Sequence, residues 1–146
     1  MPEVERSAYF EMPPRQLQMY LSTPANTGEW LVGFAAGATP LPNEPAVLGT
    51  TFDGVFSMAG VSFDVTITYV EHEEGVYDVL LSEGGVASKH TWRYEPEGSG
   101  TRVTATIEYE VPGSALGRIA DMLIIERLNS KNLEQSLENA KTILDA

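Results

Sequence analysis

Cysteine is absent from the 146 residues, which excludes disulfides, thiolate metal sites and a Cys nucleophile. Histidine is scarce: His72 and His90 are the two present. No His-x-x-x-His or similar ligand spacing occurs, so neither a metal nor another cofactor is expected. Positive charge is short as well. Lys and Arg number 9 against 21 Asp and Glu, for a formal charge of −12. Such a surface repels phosphate backbones and anionic lipids, so no nucleic-acid partner is expected. No apolar run is long enough for stable membrane insertion, and the longest, Trp30 to Ala38, contains glycines. The start, MPEVERS, is charged at once and has no apolar core of a secretory signal. What remains is one acidic, soluble domain over residues 1–146, expected in the cytoplasm as a monomer or homodimer. Hydrophobic residues make up 42% of it, enough to build a core.

Period supplies the elements. Val4 to Glu11 alternates loosely, with Val4, Ala8 and Phe10 on one side, and reads as a strand. Pro13-Pro14 ends it and opens a short helix whose Leu17, Tyr20 and Leu21 share a face. That helix stops near Thr23-Pro24, and Asn26 to Trp30 reads as a second helical turn. Leu31 to Ala36 reads as a strand and the proline-rich Thr39 to Pro45 as a loop. Strand-like runs come next at Leu48–Met58, Val61–Val70, Val76–Ser82, Val86–Glu95 and Arg102–Val111, each closed by turn residues. Val61, Phe63, Val65, Ile67 and Tyr69 alternate most cleanly, with Ser62, Asp64, Thr66 and Thr68 between them. Consecutive strands and short turns predict an antiparallel meander.

From Ser114 to Ala146 there is no Pro and only Gly117 among many good helix formers. This predicts a long C-terminal helix. Its apolar face changes phase. Leu116, Ile119, Ala120 and Leu123 share one stripe, whereas Leu133, Leu137, Ala140 and Leu144 lie roughly a quarter turn away. A bend, or two helices meeting near Asn129-Ser130, is therefore expected between about Glu126 and Leu133.

The order is strand, short helix pair, antiparallel strands, long helix: an α+β layer fold. It resembles the helix-grip proteins of the START-like superfamily, SRPBCC, and in particular their polyketide cyclase/dehydrase-like group. The resemblance covers essentially the whole chain. It rests on the first strand running into MPPRQL, on Ser22-Thr23-Pro24 with Trp30 after it, on Gly100-Thr101-Arg102-Val103 opening the last strand, and on PGSALGRIADMLIIERLNSKNLEQSLENAKTIL as the final helix. Gln18 departs from the pattern, since many relatives carry an aromatic there. The resemblance implies a curved sheet of about seven strands wrapped around the helix and enclosing an apolar cavity. It also implies binding of a small hydrophobic molecule of lipid, polyketide or aromatic type. A cyclase/dehydratase-like enzyme and a protein-interaction module like the chaperone-ATPase activators are the alternatives. The last would use the apolar run Met122-Leu123-Ile124-Ile125.

Charged residues prefer solvent, so Ser88, His90, Trp92 and Tyr94 should face inward while Lys89 and Arg93 face out. With them, Phe52, Phe63, Val65, Ile67 and Tyr69 from the sheet and Ile119 and Leu123 from the helix are the candidate ligand-binding wall. His90 is either a core imidazole satisfied by a neighbour, a polar handle for a ligand, or a general acid/base. No catalytic residue is assigned. Phe56 and Tyr109 complete the apolar set, Trp30 reads either as cavity rim or as ordinary packing, and His72 reads as a solvated turn residue. Arg127 is placed on the inward face of the helix, where it needs a partner. Asp64 and Glu108 read as solvated outer-face residues.

Overall fold

A computed structural model describes residues 3–58, 60–84, 87–110 and 122–145. The alternating segments form β1 (Glu3–Phe10), β2 (Phe34–Ala36), β3 (Thr51–Met58), β4 (Val61–Glu73), β5 (Tyr77–Glu83), β6 (Ala87–Glu97) and β7 (Gly100–Glu110). These pair in one seven-stranded sheet of order β1-β7-β6-β5-β4-β3-β2. Every pairing is antiparallel. The sheet curls into a half-barrel. Because β1 and β2 occupy opposite edges, the connection between them must cross from one to the other. It carries α1 (Pro14–Leu21), a 3₁₀ turn (Pro24–Asn26) and α2 (Thr27–Trp30). Pro14 opens α1, where its missing N–H costs nothing.

The final helix, α3 (Met122–Leu144), packs against β1 and α2. Leu133, Leu137 and Ala140 are its buried stripe. Polar contacts hold its position. Glu134 pairs with Arg6 at 2.7 Å, Asn139 Nδ2 donates to the Trp30 carbonyl at 3.2 Å, and Lys141 donates to the Tyr9 carbonyl. Strand and helix thus meet through an apolar seam bordered by hydrogen bonds, the α+β helix-grip arrangement.

The structure corrects several expectations. α3 continues unbroken through Asn129 and Ser130, so two helices do not meet there. The inward face is carried on by Asn129, Asn132 and Ser136, which line a cavity with Leu133. The other stripe, including Leu116, Ile119 and Ala120, lies outside the described residues, as does the side chain of Leu123. Arg127 is exposed rather than inward, so its charge is solvated and no buried partner is needed. β2 begins at Phe34 and β3 at Thr51, later than the apolar runs do, because Leu31–Gly33 and Leu48–Thr50 turn.

Gly100 shows why the β6–β7 hairpin needs glycine. A Cβ there would overlap the backbone carbonyl oxygen of Phe10 on β1. Gly100→Ala is expected to cost about 1–3 kcal/mol through this overlap. Urea unfolding measures it, and an unchanged midpoint would contradict the close approach.

Candidate functional site

Antiparallel register lines up side chains that share a face. One row crosses the sheet as Phe52, Ile67, Ser82, Ser88 and Tyr109, each paired with the next. The neighbouring row runs Tyr69, Leu80, His90, Ile107 and Val4. Both rows are concave. Phe63, Val65, Ile67 and Tyr69 are buried, whereas Asp64 and Thr66 between them are exposed. Trp92 and Tyr94 are buried, whereas Lys89 and Arg93 are exposed.

Two adjoining chambers lie on this face. The larger leaves 70 Å³ for the centre of a water-sized sphere. Phe34, Phe56, Phe63, Val65, Ile67 and Ile107 are among its apolar lining, and Ser88, His90, Asn132 and Ser136 are among its polar lining. The inner chamber leaves 50 Å³ and is lined by Phe52, Tyr69, Asp78, Trp92, Tyr94 and Trp30, among others. Leu31, Ile67 and His90 line both, so His90 stands at the partition. Every described residue of the sequence-derived wall therefore lines one chamber or the other.

Trp30 is packing and wall at once. It is buried and meets Trp92 edge to face, with ring centroids 5.4 Å apart. Its Nε1–H has no hydrogen-bond partner among the described residues. Ser136 is fully satisfied: it accepts from the Val32 N–H at 2.9 Å and donates to the Asn132 carbonyl at 2.6 Å.

A β-bulge produces what alternation could not predict. The β4–β5 register shifts between Tyr69 and Glu71. The extra residue inverts the facing of the residues after it. His72 thus pairs with Asp78, and its Nδ1 lies 2.6 Å from Asp78 Oδ1. It is a strand residue, not a solvated turn residue, and its side chain is 20% exposed. Asp78 is 1% exposed. Gln18 of α1 closes the cluster. Its Nε2 donates to Asp78 Oδ2 at 3.2 Å and to the Glu73 carbonyl at 3.2 Å, and its Oε1 accepts from the Gly75 N–H at 2.6 Å. A phenyl ring at this position could make none of these bonds. The departure at Gln18 is thus the lock between α1 and the β4–β5 hairpin.

Burial governs the ionisable groups. It lowers the His90 pKa to about 4, so the ring is neutral at neutral pH. Its Nε2 shares a hydrogen bond with Ser88 Oγ at 2.8 Å. Burial also raises the Asp78 carboxyl, against the hydrogen bonds from His72 and Gln18. Tyr69 and Tyr94 are raised by burial first and by the Asp78 charge second.

Comparisons with known proteins agree with this geometry. A sequence model of the family described as polyketide cyclase/dehydrase and lipid transport matches residues 1–145. No curated protein matches the chain. Among solved structures, TTHA0849 from Thermus thermophilus superposes with a TM-score of 0.77 at 22% identity, covering 97% of this chain and 95% of that one. CV1439 from Chromobacterium violaceum gives 0.73 at 15%, covering 99% and 97%. BH1534 from Bacillus halodurans gives 0.71 at 13%, again covering 99% and 97%. At these identities the likeness establishes the fold alone. Among the described residues no helix is long and apolar enough to cross a membrane, and no group of three or more His, Asp or Glu could hold a metal ion.

His90 makes a pH prediction. Its pKa in the folded chain lies below the ordinary 6.5, so the unfolded chain binds the proton more readily. Its contribution to stability is present above about 6.5 and is lost as pH falls toward about 4. Unfolding midpoints across that window should fall more steeply for the natural protein than for His90→Phe. Parallel curves would contradict a buried neutral imidazole.

Proposed function

The chain belongs to the polyketide cyclase/dehydrase and lipid transport family, and we propose that it binds or carries a small hydrophobic molecule between the sheet and α3. The observation that carries this reading is the larger chamber, whose wall is mostly aliphatic and aromatic with few polar groups. Such a wall holds a ligand by apolar burial and orients it by its polar atoms. Lipid, polyketide and aromatic compounds fit that chemistry.

In this reading His90 is the orienting contact. Its ring is neutral and already shares a hydrogen bond with Ser88. A ligand hydroxyl or carbonyl can exchange with the serine without burying a charge. Phe52, Phe63, Val65, Ile67, Tyr69 and Trp92 supply apolar contact. Cyclisation or dehydration needs a proton donor or acceptor poised near neutral pH. His90, lowered to about 4, is a poor one, and Asp78 has both its oxygens engaged by His72 and Gln18. Binding is therefore the better-supported reading. The interaction-module reading rests on Met122 to Ile125, whose side chains lie outside the described residues.

Native mass spectrometry of the purified protein should show a co-purified small molecule that dissociates on unfolding. Where none is retained, an apolar compound should change the emission of Trp30 and Trp92, the two tryptophans of the chain. His90→Phe keeps bulk and removes the polar contact. It should fold and bind more weakly. Trp92→Ala should weaken binding and also cost about 3–5 kcal/mol of stability. Unchanged affinity in both variants would place the ligand elsewhere.

A further inference from the structure

We propose that the inner chamber receives the ammonium group of a small organic amine, with Asp78 as its counter-ion and the aromatic rings around it as its cage. The proposal rests on the cavity reading above and names the ligand class it takes.

The wall itself points there. Asp78 is the only carboxylate lining the inner chamber among the described residues, and it is almost completely buried. No Lys or Arg forms a described ion pair with it; its partners are His72, cationic only when protonated, and the neutral amide of Gln18. His72 on β4 and Trp92 on β6 pair with it across the sheet, and Tyr69 and Tyr94 line the same chamber. A buried carboxylate without a permanent counter-charge is costly. Burial accordingly raises its pKa. An entering ammonium ion would supply the missing charge.

The rings suit the same guest. Trp30 and Trp92 stand perpendicular at the chamber wall, with Phe52, Tyr69 and Tyr94 beside them. Aromatic faces attract cations most strongly where water is excluded. The inner chamber leaves room for more than one water-sized sphere, enough for a small head group, and the mostly apolar larger chamber adjoins it at His90, Leu31 and Ile67. The formal charge of −12 raises the local concentration of cations.

The test compares phenethylamine with 2-phenylethanol, which differ at the terminal group, by calorimetry in moderate salt. The amine should bind about tenfold tighter than the alcohol. Asp78→Asn should bring the two within about twofold of each other. Asp64→Asn removes the same charge from the exposed face and should keep the full preference. An amine that binds no tighter than the alcohol, or a preference that survives Asp78→Asn, would overturn the proposal while leaving the cavity reading in place. If neither compound binds, both fall. Should Asp78→Asn fail to fold, the Asp78 carboxyl carbon resonance of the natural protein decides. A shift with amine and none with alcohol supports the proposal, and no shift with amine refutes it.

Discussion

Seven strands present one apolar concave face, and a helix of 23 described residues is the main element laid along it. A curled sheet of that width cannot be covered by one helix. The helical connection from β1 to β2 covers part of the remainder, placing Leu17, Leu21 and Trp30 in the core. Space is left between α3, the Leu31–Gly33 turn with Phe34 after it, and the middle strands. The cavity arises from this mismatch. Residues at its wall satisfy two demands, packing for the fold and openness for a guest.

The polar groups in that wall are of two kinds. Ser136 uses its hydrogen bonds on the protein and fixes α3 to the turn at Val32, while Gln18, which lines neither chamber, holds Asp78 from behind the wall. His90 and Asp78 sit at chamber surfaces, and burial shifts both toward their neutral forms. An apolar guest leaves them so, whereas a charged guest reverses the balance at Asp78. On the proposed reading, electrostatics would select guests more sharply than shape, because the cost of an uncompensated buried charge exceeds that of an imperfect apolar contact.

Much of this was legible in the sequence, and the exceptions share a cause. Strict period-two alternation from Val61 to Tyr69 identified the concave face, and the charged residues Lys89 and Arg93 fixed the register of β6. The fold class came from element order. Alternation fails wherever the period breaks. The bulge after Tyr69 turned His72 inward, and nothing in Val70-Glu71-His72 announces an extra residue. Asp78 was missed for the same reason, since a buried carboxylate is explained by its partners and those come from α1 and the bulged strand. On α3, apolarity alone does not mark the inward face. Asn129, Asn132 and Ser136 lie on that face because the cavity, not a packed core, is opposite them. Arg127, inward by that criterion, is exposed.

The central claim is that the space between sheet and helix is where the molecule meets its ligand. Two-dimensional NMR during titration with an apolar compound tests it directly, because the chain carries two indole N–H groups, and both of their rings line the inner chamber. The account predicts that the indole signals of Trp30 and Trp92, the imidazole of His90 and the methyl groups of Val65 and Ile67 shift together and saturate at one equivalent. Shifts confined to the exposed Val47–Leu48 loop or to the outer face around Asp53 and Asp64, with the indoles unmoved, would contradict it.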